Sequence, residues 1–162
     1  MAKTLDRPSL YDTDYVAWLE EQVRHLRAGR LAALDVDNVA EELESLMKKE
    51  RRQLRNRLEV LILHLLKWDH QPAQRSNRWR ASAAEQRARI RRLLQDSPSL
   101  KPSVGEAARE VYMDAVEQAA IETGLSEAAL PERLPYTVEQ ILERKLPADE
   151  LPDQRSTRKR SP

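Results

Sequence analysis

The chain has no cysteine and no phenylalanine, and only 3 of its 162 residues are glycine. Without cysteine there is no disulfide, no thiolate zinc site and no cysteine nucleophile, which suits a reducing compartment. So few glycines make a backbone cradle for phosphates hard to build, and neither a Gly-rich phosphate loop nor a Gly-x-Ser-x-Gly elbow occurs. His-Glu-x-x-His is absent, and no histidine lies three residues after a glutamate as in di-iron bundles. Long apolar runs are missing too. The longest, Val60 to Leu66, is interrupted by His64, whereas a membrane span needs about twenty residues. The first thirty residues hold no apolar stretch behind a basic start, so no signal peptide is expected. Cytoplasmic localisation without membrane association follows as an expectation.

What remains is rich in leucine, alanine, arginine and glutamate, with aromatic residues at 4%. That mix favours helix over sheet. The formal net charge of +1 hides a segregation. Lys48 to Arg92 carry 14 Lys/Arg against 4 Asp/Glu, a balance of +10, and the remainder carries 14 against 23, a balance of −9. A basic middle within an acidic chain can pair internally, with another protein, or with a polyanion.

Periodicity predicts an all-α bundle of four main helices with short C-terminal pieces. Asp12 reads as the N-cap of a first helix over about 13–28, docked through Tyr15, Trp18, Leu19, Val23 and Leu26 and stopped by Gly29. Asp35 caps a second, long helix to about Asp69. Its stripe runs Val36, Val39, Leu43, Leu46, Met47, Leu54, Leu58, Leu61, Leu65 and Trp68, with a bend or break expected near Lys48 to Gln53, where apolar residues are lacking. A third helix runs from Ser76 or Asn77 to Gln95, and a fourth from about Ser103 to Thr123 with Gly124 as its stop. Thr137 caps a last short helix before Pro147. Residues 1–8 and a basic tail, 148–162, read as disordered, leaving one domain over 9–147.

The segments LYDTDYVAWLEEQ (10–22), NVAEELESL (38–46), HLLKW (64–68), RWRASAAEQRARIRRLLQDSPSL (78–100) and LPYTVEQIL (134–142) together resemble a bacterial family known only as domain-of-unknown-function family twenty-nine. The resemblance spans about 9–147. It implies a compact helical bundle and carries no activity, substrate or catalytic residue.

Three constellations bear on function. Glu50, Arg57 and His64 are spaced by seven residues on the long helix, so they align within its apolar seam. With Glu42, Lys67 and Trp68 they form a candidate polar core site for a small ligand or metal. The plainer reading is a structural network, and a three-histidine metal site would need His25, His64 and His70 to converge. No metal ligand set and no cofactor is assigned. The second constellation is the basic surface of the third helix, Arg75, Arg78, Arg80, Arg87, Arg91 and Arg92, joined by lysines and arginines of the second. It could neutralise phosphates, although Trp79, the residue best suited to stack on a base, sits on the apolar stripe. The third, carboxylates such as Glu41 and Glu44, is no more than an ordinary solvated helix face. The leading expectation is a non-catalytic binding or interaction module that uses the basic surface toward an acidic protein or a second copy. A polar core site around His64 and nucleic-acid binding are the alternatives.

Overall fold

A computed structural model describes residues 9–152, among which every regular element is helical and none is a strand. Seven α-helices follow one another: α1 (Leu10–Thr13), α2 (Tyr15–Arg27), α3 (Val36–His70), α4 (Asn77–Asp96), α5 (Val104–Glu110), α6 (Tyr112–Thr123) and α7 (Val138–Glu143). The all-α expectation holds, with four substantial helical stretches once α5 and α6 are taken together. The chain divides into two compact units, one up to Lys49 and one from Glu50.

In the first unit the expected helix of 13–28 is two pieces. Asp14, with φ −150°, breaks the backbone after α1 and caps α2, its carboxylate accepting from Ala17 N at 3.0 Å. Asp12, the cap expected from sequence, instead accepts the Ser9 hydroxyl at 2.9 Å. Gly29 does adopt the left-handed conformation, φ +66°, that ends the helix. α2 and the start of α3 form an antiparallel hairpin. Trp18 Nε1 donates to Asp35 Oδ2 at 3.1 Å, Gln22 Oε1 accepts from Asp35 N at 2.9 Å, and the hydroxyls of Tyr11 and Tyr15 donate to Glu42 at 2.8 and 2.6 Å. Trp18 is the one buried apolar side chain among the described residues of this unit. The expected docking of α2 through its whole aromatic–aliphatic stripe is therefore overturned. Tyr15, Leu19, Val23 and Leu26 stay exposed, because the packing side of α2 is the Trp18–Gln22 side.

In the second unit the stripe of α3 becomes a core. Leu54, Leu58, Leu61, Leu65 and Trp68 are buried, as are Ile62 and Leu66 on the flanks. The earlier members of the same stripe, Val36, Leu43, Leu46 and Met47, are exposed, so the stripe is covered only over its second half. α3 is one helix, so of the bend or break foreseen near Lys48 to Gln53 the break is absent, and Pro72 follows it. Ser76 caps α4, which buries Ala83, Gln86, Ile90 and Leu94. The fourth expected helix is interrupted at Val111, where ψ opens to 0°, giving α5 and α6; together they bury Val104, Ala107, Ala108, Ala115, Val116 and Ala119. Small side chains there let neighbouring backbones come close. Gly124, φ +72°, ends α6, and a capping box between Thr137 and Gln140 starts α7. Part of the expected disordered tail is ordered. Ala148–Glu150 is a 3-10 turn, and Glu150 accepts from Trp68 Nε1 at 3.0 Å. The expected disorder of 1–8 and of 153–162 lies outside the described residues.

Candidate functional site

The arginines in and just before α4 divide by what they touch. Arg75 is spoken for: Nε donates to Trp68 O at 2.9 Å, Nη1 pairs with Glu150 at 2.9 Å, and the guanidinium lies 5.0 Å from the Trp68 ring centroid. Arg80 and Arg87 act as clamps on the segment that follows α6. Arg80 Nε donates to Leu146 O at 2.7 Å and Arg87 Nε to Ile141 O at 2.8 Å. Burial, with the Arg144 charge adding to it, lowers the pKa of Arg87. Arg89 pairs with Glu85 one turn away at 2.7 Å. For Arg78, Arg91 and Arg92 no ion pair or hydrogen bond occurs among the described residues, and all three are exposed.

A second clamp fixes the same segment from α3. Asp69 receives two hydrogen bonds from Arg144, at 2.8 and 2.6 Å, and one from the Tyr136 hydroxyl at 2.8 Å. Burial alone would raise the Asp69 pKa, but the Arg144 and Tyr136 hydrogen bonds and the Arg144 charge outweigh it and hold the carboxyl below its usual range. Tyr136 is pushed upward by burial and by the facing Asp69 carboxylate.

Between α4 and the clamped segment lies a cleft of about 830 Å³. Ile90, Leu94, Leu142, Leu146 and Pro147 supply its apolar lining. Arg80 and Arg87 stand in its wall with their Nε atoms engaged, and Arg91, Lys101 and Lys145 are exposed on it. Glu143 is the one carboxylate of the lining. Five cations around an apolar floor make a site that favours an anionic group attached to an apolar body.

The polar core candidates do not form one site. Glu42 belongs to the first unit, where the Tyr15 and Tyr11 hydrogen bonds lower its pKa. Glu50 and Arg57 border a second, polar cleft of about 360 Å³ with Gln53, Arg89, Arg92 and Asp96, and Arg57 Nη1 reaches Gln86 Oε1 at 3.4 Å. His64 is half-buried and its Nδ1 is buried without a hydrogen-bond partner. Burial first, then the Lys67 charge, lower its pKa to about 4, so it is neutral at pH 7. Lys67 is buried, bonded to Glu122, with its ammonium 4.5 Å from the Trp79 ring centroid. Trp68 is fully buried. His25 lies in the first unit, 3.9 Å from Glu21, and among the described residues no three His, Asp or Glu side chains are grouped to hold a metal ion.

Lys101, Lys145 and Glu143 went unnoticed in the sequence because each is a single charge at the edge of a short segment. No helix among the described residues is long and apolar enough to cross a membrane. Comparison with curated proteins and with solved structures returned no match. The family model described as "Domain of unknown function DUF29" matches residues 10–146, and the chain belongs to that family.

Proposed function

We propose that the protein is a non-catalytic interaction module of the cytoplasm whose cleft between α4 and the 141–147 segment binds an acidic, apolar-anchored stretch of another protein. The observation that carries this is the pairing of half-buried apolar side chains with exposed cations on one cleft: Leu142 and Pro147, over the buried Ile90 and Leu94, beside Arg91, Lys101 and Lys145. An apolar side chain seated on the floor would supply burial, and carboxylates at the rim would supply orientation and a salt-dependent on-rate. A bare phosphate backbone would use the cations and leave the floor uncovered, so a protein segment fits better than nucleic acid. Of the basic surface foreseen on the second and third helices, Arg75, Arg80 and Arg87 are committed to structural contacts, and of the uncommitted Arg78, Arg91 and Arg92 this reading uses Arg91, the one that borders the cleft.

The test is fluorescence anisotropy with a short labelled peptide of Glu and Leu residues, a Glu/Ser peptide of the same charge, duplex DNA and single-stranded RNA, each at about 50 and 200 mM salt. The expected result is binding of the Glu/Leu peptide, weaker binding of the Glu/Ser peptide, and loss of both in an Arg91→Ala/Lys101→Ala/Lys145→Ala variant with unchanged helicity. Equal binding of both peptides and of nucleic acid would reduce the cleft to a polyanion surface. No binding of any probe at the lower salt would remove the proposal.

A further inference from the structure

Glu50 and Arg57 border one cleft and do not pair with each other. Both are half-buried on α3, two turns apart, so their backbones are separated by about 10 Å along the helix axis. The Arg57 guanidinium makes a single hydrogen bond, to the amide oxygen of the buried Gln86 at 3.4 Å, near the outer limit for such a contact. The Glu50 carboxylate meets no donor among the described residues, and no ion pair there joins either side chain to another. Partial burial without a partner is unfavourable for a charged group, and an arriving opposite charge relieves it.

The facing helix sorts its charges the same way. The turn at Pro72–Gln74 reverses the chain, so α4 runs back along α3, and the Arg57–Gln86 contact sets their register. Counted from that contact at about 1.5 Å per residue, Arg89 and Arg92 lie between Arg57 and Glu50, and Asp96 lies beyond Glu50. Three cations are followed by two carboxylates. Arg89 is already held by Glu85 at 2.7 Å, whereas Arg92 and Asp96 are exposed and have no ion pair among the described residues. The cleft, of about 360 Å³, is therefore positive at one end and negative at the other. A simple anion drawn to the arginines meets repulsion from Glu50 and Asp96, and a simple cation meets the reverse.

We propose that this cleft between α3 and α4 binds a small, flexible zwitterion with its acid group and its amino group at opposite ends, as in an ω-amino acid. The acid accepts hydrogen bonds from the uncommitted guanidinium donors of Arg57 and Arg92, and the ammonium donates to Glu50 and Asp96. One ligand then supplies the counter-charge that each half-buried side chain lacks. The site lies wholly within the second unit and shares no lining residue with the cleft of Arg91, Lys101 and Lys145. Its fate is independent of the peptide reading.

The probe is ε-aminocaproate, followed through the backbone amide spectrum of the isotope-labelled full chain, with caproate, hexylamine and inorganic phosphate as controls that carry charge of one sign. The expected result is saturable shift changes over Glu50–Arg57 and Arg89–Asp96, with several-fold tighter binding than any control. Glu50→Gln, a change of charge with almost no change of shape, should bring ε-aminocaproate down to the affinity of caproate and leave caproate no weaker. Arg57→Gln should bring it down to the affinity of hexylamine; should that variant lose helicity, Glu50→Gln decides. Caproate or phosphate binding as tightly as the zwitterion overturns the proposal and leaves an anion site. Hexylamine doing so overturns it and leaves a cation site. Shift changes absent at millimolar probe, or gathered at Arg91 and Lys101, also overturn it, as does ε-aminocaproate binding that Glu50→Gln leaves unchanged.

Discussion

Leu43 and Leu61 offer a controlled comparison of what burial contributes. They are 18 residues apart on α3, which is five full turns, so they occupy the same angular position on one helix. Leu61 is fully buried in the second unit's core, and Leu43 is 58% exposed. Leu→Ala removes the equivalent of about three carbon groups. At about 0.8 kcal/mol each, the lost transfer energy at Leu61 is roughly 2.4 kcal/mol. The neighbours Leu58, Ile62 and Leu65 are helical and close-packed, so the hole cannot collapse fully and a cavity term adds to this. The total expected for Leu61→Ala is about 3–4 kcal/mol, inside the range of about 2–5 kcal/mol for such sites. For a chain of this size that lowers Tm by roughly 6–16 °C, at about 2–4 °C per kcal/mol. Leu43→Ala should change stability by no more than about 0.5 kcal/mol. The assay is urea unfolding followed by far-ultraviolet circular dichroism, with m-values compared to confirm that the same surface unfolds. A loss below about 1 kcal/mol at Leu61, or equal losses at the two positions, would refute the assignment of core and bare face along one stripe.

Two further predictions concern the buried polar groups. His64 has a pKa lowered to about 4 against about 6.5 in an unfolded chain, so the unfolded state binds the proton first. Its contribution to stability is complete above the unfolded value and is lost as pH falls toward the folded one. Urea midpoints should therefore decline between about pH 6.5 and pH 4, and His64→Gln should flatten that decline; an unchanged slope would place the titration elsewhere. Lys67 and Glu122 should respond unequally to truncation. Glu122 is well exposed and is resolvated when Lys67→Met removes its partner, whereas Glu122→Ala strands a buried ammonium. Lys67→Met should be within about 1 kcal/mol of neutral and Glu122→Ala should cost about 1–3 kcal/mol; the reverse order in thermal melts would contradict the burial of Lys67.

The helices were legible where local chemistry decides them. Gly29, Gly124, Pro72 and the caps at Ser76 and Thr137 all act as their residue types demand. The start of the first helix was misread because Asp12 and Asp14 are equally good caps, and only the non-helical backbone at Asp14 chooses between them. The α3 stripe was legible as a stripe, but its burial was not. What covers Leu54 to Trp68 comes from residues far along the chain, and what leaves Leu43 bare is the choice of Trp18 and Gln22 as the packing side of α2. The site was the least legible part. Lys67 meets Glu122 across 55 residues, and Asp69 meets Arg144 across 75. One wall of the cleft is held in place by Arg80 and Arg87, which donate to the carbonyls of Leu146 and Ile141. In the sequence these two arginines look the same as Arg91, and nothing local separates a clamp from an open cation.

The cleft as a binding site is tested most directly by mapping the Glu/Leu peptide onto the isotope-labelled protein through its backbone amide spectrum. The account predicts shift changes concentrated at Ala84, Ile90, Arg91, Leu94 and Leu142, and their disappearance in the Arg91→Ala/Lys101→Ala/Lys145→Ala variant. Shifts clustered instead around Arg57, Arg89 and Arg92, or spread evenly over every arginine-bearing surface, would contradict it.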